Sequence, residues 1–158
     1  MDLFLDTPIK IEIKNGGKTV ETLNVSLREY TKAEKDALRL EEKEFIGLVE
    51  KSQKHLRVID KLETKIELQK GAEDFKGALL TFKELQEVEE VGDALSKDIN
   101  EKGGDDFYEQ KAKENFNSLV SGDGKNRLAE IAESKGYQTV MRLLRKEKEE
   151  VEKKPSGE

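Results

Sequence analysis

The sequence predicts a mainly α fold with a small N-terminal β-hairpin, in which a long antiparallel helical hairpin is followed by shorter C-terminal helices. Three observations carry this prediction. Of the 158 residues 41% are charged and only 34% hydrophobic, with no Trp and two Pro, against ~25% charged in an average domain. Apolar groups so diluted fall into narrow stripes, which favours amphipathic helices. Near the N-terminus Ile9, Ile11 and Ile13 alternate with Lys10, Glu12 and Lys14, the period of a strand with one buried face. Further on, Leu38, Phe45, Ser52, Ile59 and Ile66 recur every seven residues, the period of a helix seam.

The first strand runs into Asn15-Gly16, a pair suited to the positive φ values of a tight hairpin turn. Downstream, Leu23, Val25 and Leu27 restore the alternation, and Val20 is out of phase with them. That offset predicts a bulge, or a loop reaching to about residue 20. Gly17-Lys18-Thr19 has the letters of a phosphate loop. Such a loop requires a glycine five residues before its second glycine and a helix directly after it. Glu12 stands at that position and a strand pattern follows, so these residues read as hairpin.

Thr31-Lys32-Ala33-Glu34 has the spacing of a capping box, in which hydroxyl and carboxylate satisfy the free N–H groups of a first helical turn. A helix is expected from about residue 32 to Lys70, with Leu48, His55 and Leu62 as companions to the seven-residue series. Gly71 interrupts it. A second stripe follows, Phe75, Leu79, Phe82, Leu85, Val88, Val91, Leu95 and Ile99, ending at Gly103-Gly104. A bend near residue 71 would bring Ser52 and His55 opposite Glu87 to Glu90, giving a polar layer of Ser52, His55 and Glu89 that fixes register. Asp105-Asp106 can cap a helix with Tyr108, Ala112, Phe116, Leu119 and Val120, and Ser121-Gly-Asp-Gly reads as a loop before a helix with Leu128, Ile131 and Ala132. Gly136 is the expected stop. Val140, Met141, Leu143 and Leu144 open a last helix whose charged end is expected to fray from about residue 150. The organisation is thus a hairpin over 1–31, a helical hairpin over 32–102 and a helical segment over 105–154, in one folding unit.

No constellation marks an enzyme. Ser52 and His55 share a helix face, but mid-helix N–H groups are committed to the helix and cannot form an oxyanion hole. One His and no Cys leave no thiolate or imidazole cluster for a metal, and Ser121 to Gly124 lacks the acidic spacing of a calcium loop. No catalytic, cofactor or metal site is expected. The balance of 29 basic and 35 acidic residues, net −6, offers no basic face for nucleic acid. No apolar run approaches the ~18 residues of a membrane span, and MDLFLDTP is unlike a signal peptide. A cytoplasmic location is the expectation. Leu40, Val49, Leu56, Val58 and Leu68 fall off the seam. Either the terminal elements cover them, or they serve a partner or a second copy of the chain.

The strand with Pro8-Ile9-Lys10-Ile11, the turn Asn15-Gly16-Gly17-Lys18-Thr19-Val20, the strand ending Leu27-Arg28-Glu29-Tyr30-Thr31, and Asp36 in the helix beyond, taken in order, resemble the N-termini of phage tail assembly chaperones. The resemblance covers about a quarter of the chain. It implies a non-enzymatic helper that keeps the long helical tape measure protein soluble in the bacterial host cytoplasm until tail tube subunits polymerise around it. By that analogy the partner contacts are apolar residues on the exposed side of the helices, Val49, Leu56, Val91 and Leu95. Two other readings stay open: a homo-oligomeric coiled-coil scaffold or adaptor, and a small acidic regulatory binder of a cytosolic protein.

Overall fold

A computed structural model describes residues 6–153. Strands β1 (Asp6–Asn15) and β2 (Lys18–Arg28) form the antiparallel hairpin. The turn pair is Gly16-Gly17, at φ 60° and 81°, and not Asn15-Gly16, because Asn15 already pairs with Lys18. Two successive positive φ values are what a two-residue turn of the strands' own twist demands. Ile13 pairs with Glu21 and Lys14 with Thr19, so Val20 is the extra residue of a bulge. It resets the alternation, and Leu23, Val25 and Leu27 are buried together with Ile9 and Ile11.

A third strand, β3 (Val120–Ser121), pairs antiparallel with β2 through Leu27 and Val120, where a loop was expected from Ser121. The chain then lies directly on β2. The Gly124 N–H donates to the Asn24 carbonyl at 3.0 Å, and a Cβ on Gly122, at φ 105°, would come within 3.0 Å of that same oxygen.

The remaining helices are α1 (Lys32–Gly71), α2 (Phe75–Glu101), α3 (Phe107–Leu119), α4 (Lys125–Lys135) and α5 (Tyr137–Lys153), with a short 3-10 turn at Gly104–Asp106. Helix α5 continues past residue 150 to Lys153, beyond the expected start of fraying, and the tail that follows lies outside the described residues, as does the segment before Asp6. Gly136 ends α4 at φ 98°. The Glu109 carboxylate accepts from the backbone N–H groups of Tyr137 and Gln138, capping α5 with an acid at its positive end.

Contacts group the chain into two compact units, 1–35 with 106–158, and 36–105, where the sequence reading drew three consecutive segments in one unit. The physical reason is that the β-hairpin finds its apolar cover in the C-terminal helices. Phe116, Leu128, Met141 and Leu144 are fully buried in that first unit, against Ile9, Ile11, Leu23, Val25 and Leu27. In α3 Ala112, Phe116 and Leu119 are buried as expected, with Val120 after them, but at its start Phe107 is buried and Tyr108 exposed. Buried Thr7 and Lys148 find polar partners, whereas the buried Tyr30 hydroxyl has no hydrogen-bond partner among the described residues. Thr7, fully buried, donates to Glu152 at 2.8 Å, and the Lys148 ammonium pairs with Glu152 and Glu29. Burial alone would lower the Lys148 pKa, but its pairing with Glu152 and Glu29 outweighs this and holds it raised.

The capping box forms as the sequence predicts. The Glu34 N–H donates to Thr31 Oγ1 at 3.1 Å, and the Thr31 N–H to Glu34 Oε1 at 3.0 Å. Arg28 adds an ion pair to the same carboxylate at 2.8 Å. Thr31→Ala should therefore cost ~1 kcal/mol in urea unfolding. The hydrogen bond from Arg28, then those from Thr31, pull the Glu34 pKa down to about 2. A depressed carboxylate stabilises the fold fully above its unfolded pKa of ~4.3 and loses that contribution as pH falls towards the folded value. Glu34→Gln should thus flatten the fall of the melting temperature between those limits. An unchanged acid limb would show that the pair adds nothing.

Candidate partner-binding surface

The second unit is a helical hairpin. Helix α1, at ~1.5 Å per residue, is about 60 Å long. The bend lies at Ala72 to Asp74, slightly beyond the expected position, with Glu73 at φ 62° and the Asp74 carboxylate accepting from the Gly77 N–H at 3.0 Å. The seam of α1 is the predicted one, with Phe45, Leu62 and Ile66 buried and Ser52, His55 and Ile59 half-buried. That of α2 keeps Leu85, Val88, Leu95 and Ile99 of the expected stripe and leaves out its other four members. Ala78, Thr81 and Leu85 are buried, Val88, Gly92, Leu95 and Ile99 half-buried, and Phe75, Leu79, Phe82 and Val91 exposed. Leu62, Ile66 and Leu85 form its apolar centre with Ile59 and Val88. Near the bend the seam is polar: Thr81 donates to Gln69 Oε1 at 2.8 Å and to the Gly77 carbonyl at 3.0 Å.

His55 reaches the expected height but a different partner. Its Nε2 meets the Val88 carbonyl, while Glu89, like Glu87 and Glu90, is exposed. What permits this is Gly92. A Cβ there would stand 3.0 Å from His55 Cδ2, so the imidazole occupies the space that a side chain at 92 would need. The polar layer is therefore His55 with the backbone of α2, and Ser52 lies one turn away. Gly92→Ala should displace the ring from the Val88 carbonyl and destabilise the hairpin by ~1–3 kcal/mol. A melting temperature equal to that of the parent would contradict this packing.

Seven-residue spacing places Val49 and Leu56 in one column beside the α1 seam, and Phe75 and Phe82 in the corresponding column of α2. In an antiparallel pair these like columns flank the seam on the same side. Ile46 and Leu79 lie one step further out on that side. The flank is open: Leu56 is 57% exposed, Phe75 65%, Leu79 58% and Phe82 47%. Val49 is half-buried. Of the other two residues picked from the sequence, Val91 is exposed on the opposite flank and Leu95 sits half-buried in the seam. The four thus do not form one surface. Sequence reasoning missed Phe75, Leu79 and Phe82 as surface residues because their steps of three and four assigned them to the seam. The detectable signal was the series Ala78, Thr81, Leu85, Val88, Gly92, Leu95 and Ile99, which alternates steps of three and four without a break.

Asp60, Glu63 and Glu67 of α1, with Glu89 and Asp93 of α2, occupy the same flank between and beyond the apolar groups, all exposed. The surface is apolar with acidic edges. From Ile46 to the level of Phe75 it extends about 35 Å along the helices.

A small cavity of the first unit, about 210 Å³, is lined by Arg28, Glu29, Tyr30, Arg145, Lys148 and Glu149 among others. Its charges are largely committed, Arg28 to Glu34 and Lys148 to Glu29 and Glu152, and it presents no nucleophile with a base. Among the described residues no group of three or more His, Cys, Asp or Glu could hold a metal ion, and no helix is long and apolar enough to cross a membrane. Comparison with family models, with curated proteins and with solved structures gives no match.

Proposed function

We propose that this chain is a non-enzymatic assembly chaperone whose helical hairpin binds a long helical protein, and that this partner is the tape measure protein of a phage tail. The observation that carries the reading is the open apolar flank of Leu56, Phe75, Leu79 and Phe82, long enough for several turns of a partner helix. Exposed apolar groups gathered at the bend end, Phe75, Leu79 and Phe82, with Leu56 further along the same side, are the kind of surface that marks interaction sites, and an amphipathic helix laid along it is a standard way to cover one. The acidic edges select for a partner helix with Lys or Arg beside its apolar stripe. The N-terminal resemblance supplies the particular partner, and the host cytoplasm is then the place of action. This flank would also suit an acidic regulatory binder of a basic protein, so the partner has to be tested directly.

The test is co-expression with a phage tape measure protein, followed by size exclusion with light scattering. The expected result is a soluble complex containing a partner that is insoluble when expressed alone. A partner that remains insoluble, with this chain eluting by itself, would contradict the proposal.

A further inference from the structure

The opposite flank of the helical hairpin carries a different pattern. On α1, Lys51, Lys54, Val58, Lys61 and Lys65 follow one another at steps of three and four. On α2, Glu84, Glu87, Val91, Asp98 and Glu101 occupy the facing columns. All of them are exposed, and among the described residues none of the eight charges has an ion-pair partner. Leu68 and Leu80, 70% and 60% exposed, close the row at the bend end. One helix therefore offers a basic row and the other an acidic row, on a single face.

Such a face is complementary to itself. A two-fold rotation about the long axis of the hairpin lays the basic row of one copy on the acidic row of the next. It also preserves height, since His55 lies beside Gly92 and Gln69 beside Thr81 within one hairpin. Lys65 then meets Glu84, Lys61 meets Glu87 and Lys51 meets Asp98, while Val58 packs on Val91 and Leu68 on Leu80. Every helix in the assembly is antiparallel to its neighbours, the up-down arrangement of four-helix bundles. The same operation applied to the partner-binding flank fails, because it sets Glu89 on Leu56 and Glu63 on Phe82.

We infer that the flank of Lys51 to Lys65 and Glu84 to Glu101 is where a second copy of this chain docks, forming a two-fold four-helix bundle. Isologous closure of this kind is the commonest form of homo-oligomer, and it leaves the flank of Phe75 and Phe82 free.

Sedimentation equilibrium tests this. The full chain is expected at twice its 18.0 kDa mass. A basic-row variant, Lys51→Glu with Lys54→Glu, Lys61→Glu and Lys65→Glu, should dimerise roughly a hundredfold or more weakly, since like charges across an interface cost several kcal/mol. The acidic-row variant, Glu84→Lys with Glu87→Lys, Asp98→Lys and Glu101→Lys, should behave in the same way, and an equimolar mixture of the two should recover a heterodimer. A chain with both rows reversed guards against misfolding of either: it should dimerise with itself and fail to exchange with the parent. A monomeric parent, a basic-row variant that stays dimeric, or free exchange between parent and doubly reversed chain would each overturn the inference.

Discussion

Phe116→Ala is expected to lower the stability of the first unit by about 3–5 kcal/mol, the range for deleting a buried aromatic ring. Phe116 is 0% exposed, and its ring meets Tyr137 edge to face at 5.4 Å between centroids. It stands in the core shared by the sheet residues Ile9, Val25 and Leu27 with Leu128, Met141 and Leu144 of the helices, so its loss leaves a cavity at the centre of that packing. Tyr137, the neighbouring aromatic, is held in its own place by the hydrogen bond from its hydroxyl to Glu133 Oε1 at 2.8 Å. Urea unfolding followed by circular dichroism should show a lower midpoint with an unchanged slope. Tyr108→Ala, on the exposed side of α3, should stay within ~0.5 kcal/mol of the parent. A loss below ~1 kcal/mol for Phe116→Ala would contradict the placement of the core.

The second large effect concerns binding. Replacing Phe75, Leu79 and Phe82 together by serine should weaken capture of the proposed partner, a tape measure protein, by roughly a hundredfold or more, because truncating central aromatic anchors typically costs at least ~2 kcal/mol. It should leave the melting temperature close to that of the parent, since these side chains lie outside the hairpin seam. Val91→Ser serves as the matched control, an exposed apolar residue of the same helix on the other flank, and should leave that affinity unchanged. Equal losses from both variants would mean that the binding surface is not confined to one side.

Much of this was legible in the sequence. Local patterns with strict chemistry were reproduced: the alternation of β1, the bulge forecast by the misphased Val20, and the reciprocal Thr31–Glu34 cap. Each is decided within a few residues. The seam of α1 was equally readable, because its apolar residues keep the seven-residue period over most of the helix. The seam of α2 was readable only in part, through Leu85, Val88, Leu95 and Ile99. Near the bend it is built from Ala78 and Thr81, and further along at the level of His55 from Gly92, small groups that allow close approach of the helices, while the large groups Phe75, Leu79 and Phe82 are turned outward. A reading that equates size with burial inverts that face, and so half of the candidate surface went unseen. β3 was missed for another reason: two residues carry no period, and their pairing with Ser26 and Leu27 depends on tertiary placement. The partner of His55 belongs with these, since a backbone carbonyl made accessible by a glycine leaves no mark in the charge pattern.

The central claim is that a partner helix lies along the flank of Leu56, Leu79 and Phe82. Site-specific photo-crosslinking tests it most directly. A photoreactive amino acid is placed singly at Leu56, Phe82 or, on the opposite flank, Lys61, and each chain is irradiated in complex with the tape measure protein. Crosslinks to that protein from positions 56 and 82, with none from 61, are the predicted result. Crosslinks from position 61 alone, or from none of the three while the complex persists, would show that the partner is bound elsewhere.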